Sequence, residues 1–233
     1  MKIAGLQKVT VIDYPGKIAC TLFLYGCTFK CGFCHNPELV IQDYKEEYSS
    51  EEILDFLKKR KKYLEGVCIT GGEPMLSLEK EFVKKIKRLG YTVKIDTNGS
   101  FPEKLDEFIL EGLVDYVAMD IKSSKEHYSE VAGKVVDIEK IEKSIKLISK
   151  LRAYEFRTTI IPRFHDEKEF ESMMEWVSQI TGKKLQRFAI QGFKNNGKFI
   201  DLKFMNELPP TDEHLANLKK IAEESFDEVL IKN

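Results

Sequence analysis

The sequence predicts an α/β fold, an open, partial barrel of parallel strands with helices packed outside it. Three observations lead there. Strand-like and helix-like segments alternate with little between them, the pattern of repeated strand–helix units around a parallel sheet. The chain of 233 residues holds six such units plus a terminal strand, fewer than the eight that close a barrel. Glycines, acids, a lysine and cysteines recur at the ends of successive strand-like runs, the end at which parallel barrels carry their working residues.

Apolar or β-branched runs fall at 18–25, 67–70, 92–96, 114–121, 154–161, 185–191 and 227–231. Between them lie helical patterns. Ser49 with Glu52 makes a capping box at the start of the first. Leu78, Phe82, Ile86 and Leu89 trace one face of the second, and Pro102 suits the first turn of a third. Ile138, Ile141, Ile145 and Ile148 form the stripe of a longer one. Asp166 with Glu169 caps the helix carrying Met173, Trp176 and Val177, and Thr211 caps the last, where Leu215, Leu218 and Ile221 face inward. Segment 192–210, rich in Asn, Gly and Pro, reads as a surface loop beside the site. No linker, internal repeat or low-complexity tract interrupts the pattern, so one domain over 1–233 is expected.

A 42% hydrophobic composition is enough for a full core, and a net charge of −1 gives no electrostatic case for nucleic acid or an anionic membrane. The 32% of charged residues, mixed in sign along helix-like stretches such as 51–62, read as solvated helix faces and hint at a heat-adapted source. No apolar run approaches a membrane span, and no signal-type segment opens the chain. Five cysteines, three of them clustered, point to a reducing, cytoplasmic compartment rather than a disulfide framework. Cys20 and Cys68 sit inside strand-like runs as small buried hydrophobes. The sequon Asn98-Gly99-Ser100 is therefore without meaning.

Cys27, Cys31 and Cys34 read C-x₃-C-x₂-C directly after the run Ile18–Leu24. Three thiolates from one short loop suit an iron–sulfur cube whose fourth iron stays open to a small molecule. The alternative is a structural zinc site, Cys₃His, with His35 as the fourth ligand.

Each remaining motif admits a plain and a functional reading. Gly71-Gly72 could be only a turn, or could let a ligand lie against bare backbone whose carbonyls accept from an ammonium group. Glu73 could be a surface carboxylate and Pro74 a strand stop. Asp96-Thr97 could cap a loop, or hold a cation beside an anionic ligand. Asp120 and Lys122, two apart, share one strand face and would suit a ligand bearing both an amino and a carboxylate group. Arg157 lies within the fifth run, and Gln191-Gly192 ends the sixth.

These motifs carry a family resemblance. Cys27–Phe33–Cys34 followed by Gly71-Gly72-Glu73-Pro74 resembles the radical S-adenosylmethionine (SAM) superfamily. Ile12–Lys17, Phe23–Leu39, Asp96–Gly99 and Met119–Lys122 resemble the glycyl-radical-enzyme activating proteins, above all the branch that serves anaerobic ribonucleoside-triphosphate reductase. The likeness runs from about Gly5 to Gln191.

The resemblance implies a partial (β/α)6 open barrel of the radical SAM type, a [4Fe–4S] cluster on Cys27, Cys31 and Cys34, and SAM bound at the open iron. It places Phe33 along the adenine, Gly71 and Gly72 at the methionine amino group, with Glu73 in the same motif, and Lys122 at the SAM carboxylate. Asp96, Thr97, Asp120 and the Ala118 carbonyl match a monovalent-cation site; Arg157 faces the cofactor, Gln191 the adenosine, and His127 a substrate or solvent. The implied chemistry is reductive SAM cleavage, with an electron from flavodoxin or ferredoxin, and hydrogen abstraction from a glycine of the partner enzyme.

Two departures narrow the branch. Asp13-Tyr14-Pro15-Gly16-Lys17 stands where several relatives read D-G-P-G-I-R, and no cysteines remain for the extra ferredoxin-type clusters of some activases. The alternatives are a radical SAM enzyme acting on a small molecule, as 7-carboxy-7-deazaguanine synthase does, and a non-catalytic zinc-binding interaction module.

Overall fold

The computed structural model describes residues 1–41 and 47–232. The chain is an α/β protein in which parallel strands alternate with helices in sequence, as expected. It divides into two compact units: Met1–Thr28, Glu38–Thr97 and Glu103–Val117 form the first, and Phe29–Pro37, Asn98–Pro102 and Ala118–Asn233 the second.

The first unit carries β1 (Ile3–Thr10), β2 (Ala19–Leu24), β3 (Gly66–Gly71) and β4 (Thr92–Thr97). β2, β3 and β4 are parallel neighbours in register Cys20↔Val67 and Cys68↔Lys94. Val67, Cys68, Ile69, Val93 and Ile95 have no exposed surface, the burial on both faces expected of a covered parallel sheet. β1 is an addition to the sequence-based picture, an antiparallel partner of β2 with two register shifts. Its irregular register and the exposure of Val9 suit an edge strand. Helix Ser50–Arg60 starts at the expected capping box, with Glu52 N donating to Ser49 Oγ and Ser49 N to the Glu52 carboxylate.

β5 (Tyr116–Asp120) begins in the first unit and ends in the second. The second unit continues with β6 (Tyr154–Ile160), β7 (Leu185–Gly192) and β8 (Phe226–Lys232), where β6–β7 and β7–β8 are parallel. Its helices Ile138–Ile148, Glu167–Thr181 and Asp212–Ser225 are capped by Asp137, Asp166 and Thr211. Phe156, Phe170, Phe188 and Phe226 form a linked aromatic core, with Phe188 and Phe226 centroids 4.9 Å apart. Among the described residues, no helix is long and apolar enough to cross a membrane.

Candidate active site

In the first unit, Cys27 follows the end of β2, and the chain there is held by main-chain bonds. Gly72 N donates to the Leu24 carbonyl at 2.9 Å and Glu73 N to the Gly26 carbonyl at 2.7 Å. Gly71 and Gly72 are required by this contact. A Cβ on Gly71 (φ 125°) would meet the Leu24 carbonyl oxygen at 2.2 Å, and one on Gly72 the Gly26 carbonyl oxygen at 2.0 Å. The side of the glycine pair without side chains is thus filled by the cysteine loop's own backbone.

Glu73 is fully buried rather than a surface carboxylate. Its Oε1 accepts from Met75 N at 3.0 Å, capping helix Pro74–Ser77, and from Thr97 Oγ1 at 2.8 Å, tying the ends of β3 and β4 together. Asp96 turns toward Lys94 and Cys68 of the sheet.

In the second unit, Cys31 is buried and Cys34 half-buried, and Cys34 N donates to the Cys31 carbonyl at 3.0 Å, closing a tight turn. The turn is held from outside at two points. Lys30 N donates to the Ala132 carbonyl at 2.9 Å, and Gly133 (φ 67°) abuts the Lys30 carbonyl, which a Cβ would approach to 2.1 Å. Asp201 N donates to the Gly32 carbonyl at 3.0 Å, and Phe204 packs against Gly32 and edge-on to Phe33, at 5.8 Å between centroids.

Segment 192–210 is therefore more than a surface loop. It contains a 3₁₀ turn, Leu202–Asn206, and buries Phe193, Phe199 and Phe204 in an aromatic cluster beside the cysteine turn. Its Asn, Gly and Pro content hid three aromatic anchors.

Lys122 lies next to this turn, with its ammonium 6.0 Å from the Phe33 ring centroid and 3.0 Å from Asp120 Oδ2. Arg157 Nε donates to Asp120 Oδ1. Burial would raise the Asp120 pKa, but the Arg157 and Lys122 cations outweigh it and hold the carboxyl below its usual range. Burial would likewise lower the Lys122 pKa, yet the Asp120 carboxylate and the neighbouring Cys31 thiolate raise it. Burial pushes the Cys31 thiol up, while the Lys122 ammonium favours its thiolate.

So Cys31, Cys34, Phe33, Asp120, Lys122 and Arg157 form one group in the second unit, and Cys27, Gly71, Gly72, Glu73 and Thr97 one group in the first. Gln191 sits half-buried at the end of β7, and Ala118 is buried within β5. His127 is exposed, with Nδ1 2.8 Å from Glu169 Oε2. Sequence reasoning missed His165 and Phe204, and it read Glu169 only as part of a helix cap, whereas its carboxylate accepts from Ser123 and Ser124 and meets His127.

The donor chemistry, three thiols within eight residues of one loop, fits an iron–sulfur cube. None of the five cysteines is in a disulfide, and Cys20 and Cys68 are fully buried in β2 and β3. Among the described residues no three His, Cys, Asp or Glu side chains form a group that could hold a single metal ion. His35, the fourth ligand of a Cys₃His site, has Nε2 3.0 Å from the Lys194 carbonyl and its ring stacked on Phe193.

Comparison with known proteins identifies the family. Residues 21–177 match the family model of the radical SAM superfamily. A Methanocaldococcus jannaschii protein named as a glycyl-radical enzyme activating enzyme is 35% identical over 99% of this chain and 95% of its own length. The pyruvate formate-lyase-activating enzyme of Staphylococcus epidermidis is 26% identical over 90% of each chain. Among solved structures, Streptococcus suis SuiB bound to S-adenosylmethionine has the same fold, with a TM-score of 0.64 at 15% identity over 91% of this chain and 52% of that one. A domain of a pyruvate-formate lyase-activating enzyme from Bacteroides vulgatus follows with a TM-score of 0.56 at 19% identity, over 72% of this chain and 99% of that one.

Proposed function

The chain belongs to the radical SAM superfamily and, within it, to the glycyl-radical enzyme activating enzymes, and from that premise we propose that its protein substrate is an anaerobic ribonucleoside-triphosphate reductase. In this reading Cys27, Cys31 and Cys34 hold a [4Fe–4S] cluster, the reductant is flavodoxin or ferredoxin, and the protein works in the cytoplasm as a single functional domain. The observation that carries the choice of branch is the stretch Asp13-Tyr14-Pro15-Gly16-Lys17, which stands where several relatives read D-G-P-G-I-R. Cys20 and Cys68 are sealed in strands, which separates this chain from activases with additional ferredoxin-type clusters.

A cluster bound by Cys27, Cys31 and Cys34 would supply the electron for reductive cleavage of SAM, the chemistry by which this family abstracts hydrogen from a glycine. The chain's own groups position and shield. Phe33, packed edge-on to Phe204 beside the cysteine turn, is the residue that would lie along the adenine. Lys122 keeps its positive charge through Asp120 and can pair with the SAM carboxylate, while Arg157 keeps Asp120 in place. The carbonyls at Gly71 and Gly72 would accept from the amino group, and Glu73 with Thr97 ties that turn to the end of β4. Gln191, at the end of β7, serves the adenosine. The aromatic packing of segment 192–210 limits water and oxygen at the cysteine turn.

The test is anaerobic reconstitution followed by incubation with SAM, dithionite and the reductase. Iron and sulfide in the protein, release of methionine and a glycyl signal in electron paramagnetic resonance are expected. A signal on pyruvate formate-lyase but none on the reductase would overturn the partner assignment. A tetrahedral metal without sulfide would overturn the cofactor assignment.

A further inference from the structure

β4 carries a lysine that the motif Asp96-Thr97-Asn98-Gly99 does not require. Lys94 and Asp96 are two residues apart and share one face of the strand. Lys94 is 1% and Asp96 9% exposed. Lys94 Nζ contacts Asp96 Oδ1 directly. It also lies 3.9 Å from the Sγ of Cys68, its register partner on β3, and 5.9 Å from the Tyr116 ring centroid. Cys68 Sγ in turn donates to Asp96 Oδ1 at 3.7 Å. In the second unit Asp120 is engaged in the same way, by Arg157 and by Lys122.

These two carboxylates are the ones that the resemblance assigns to a monovalent cation, and the residues present do not fit one. A buried carboxylate needs a countercharge, and a potassium or sodium ion supplies a single positive charge to its oxygen. Lys94 supplies the same charge from the same strand. An ammonium tethered two residues from its carboxylate competes at a high effective concentration that an ion from solution does not match.

We infer that Lys94 is the fixed cation of this site, so that SAM binding by this protein does not require potassium or sodium. The inference rests on the functional reading above. Lys94 is a positioning residue: it acts through Asp96 and fixes the carboxylate at the end of β4.

The test titrates SAM into cluster-reconstituted wild-type protein, anaerobically and at equal ionic strength, in potassium, sodium and tetramethylammonium chloride. Dissociation constants that agree within about twofold are expected. A loss of about tenfold or more in tetramethylammonium, reversed by potassium, overturns the inference. Lys94→Met removes the countercharge from a buried carboxylate, and its melting temperature should rise on adding potassium while that of the wild type does not. Potassium-independent melting of a folded Lys94→Met would also overturn the inference. Should that variant fail to fold, the wild-type titration decides alone. Absence of SAM binding in every salt defeats the functional reading and the inference with it, whereas binding that requires potassium defeats the inference alone.

Discussion

His165 Nε2 donates to the main-chain carbonyl of Lys122 at 2.8 Å, and this bond sets where the Lys122 side chain begins. The tautomer is determined by the chain, because Ile161 N donates to His165 Nδ1 at 3.1 Å. His214 Nε2 donates to the His165 carbonyl at 2.8 Å, extending the same support to the last helix. Lys122 is thus aimed by a residue 43 positions away that no strand-end motif announces.

His165→Phe keeps the ring volume and leaves two buried main-chain groups without partners. A loss of about 3 kcal/mol follows from about 1–3 kcal/mol per unsatisfied group. Thermal unfolding should show it as a fall of roughly 6–12 °C for a chain of this size. SAM affinity should fall as well, while iron loading stays intact. An unchanged melting temperature would refute the role of His165.

The His127–Glu169 pair predicts a pH dependence. The hydrogen bond to Glu169 raises the His127 pKa above its ordinary value. A raised folded-state pKa stabilises fully below the unfolded pKa of about 6.5 and loses its effect as pH rises through the folded value. The wild type should therefore melt above His127→Gln at about pH 5.5 and close to it at about pH 8.5. Nearly three-fifths of the His127 side chain is exposed, so the difference should shrink with added salt.

How much of this was legible in the sequence follows from where each signal lies. The cysteine loop, Gly71-Gly72, Asp120 and Lys122 announce themselves through spacing and position at strand ends, and the structure groups them within their units. Lys94 does not, because it lies inside the run 92–96, which reads as an ordinary strand. Its meaning comes from a contact across a sheet face. β1 was missed for the opposite reason, since an edge strand that exposes Val9 lacks the dense apolar pattern of a core strand. Segment 192–210 was misjudged because Asn, Gly and Pro dominate its composition, while Phe193, Phe199 and Phe204 are spaced too irregularly to trace a helix or strand face.

The cysteines divide by position: Cys27, Cys31 and Cys34 lie on the loop after β2, whereas Cys20 and Cys68 lie inside β2 and β3. Cys31→Ala should abolish cluster binding, whereas Cys68→Ser should retain it, since Cys68 is fully buried in β3 beside Lys94 and Asp96. Iron and sulfide analysis after anaerobic reconstitution distinguishes the two, and equal loading in both variants would sink the ligand assignment.

Gly32 and Phe204 should behave as a coupled pair. A Cβ at Gly32 would fall 2.6 Å from Phe204 Cε2 and 3.1 Å from Asp201 Cβ, so Gly32→Ala must push the aromatic ring off the cysteine turn. Phe204→Ala alone removes a buried ring and should cost about 3–5 kcal/mol. In the double variant the new methyl group enters the space that the ring has left, and the clash that made Gly32→Ala harmful is gone. The two losses should therefore fall short of additivity by about 1 kcal/mol or more, within the range that contacting residues show. Denaturant unfolding of the wild type, both single variants and the double variant measures that coupling. Simple additivity would mean that segment 192–210 does not brace the turn carrying Cys31 and Cys34.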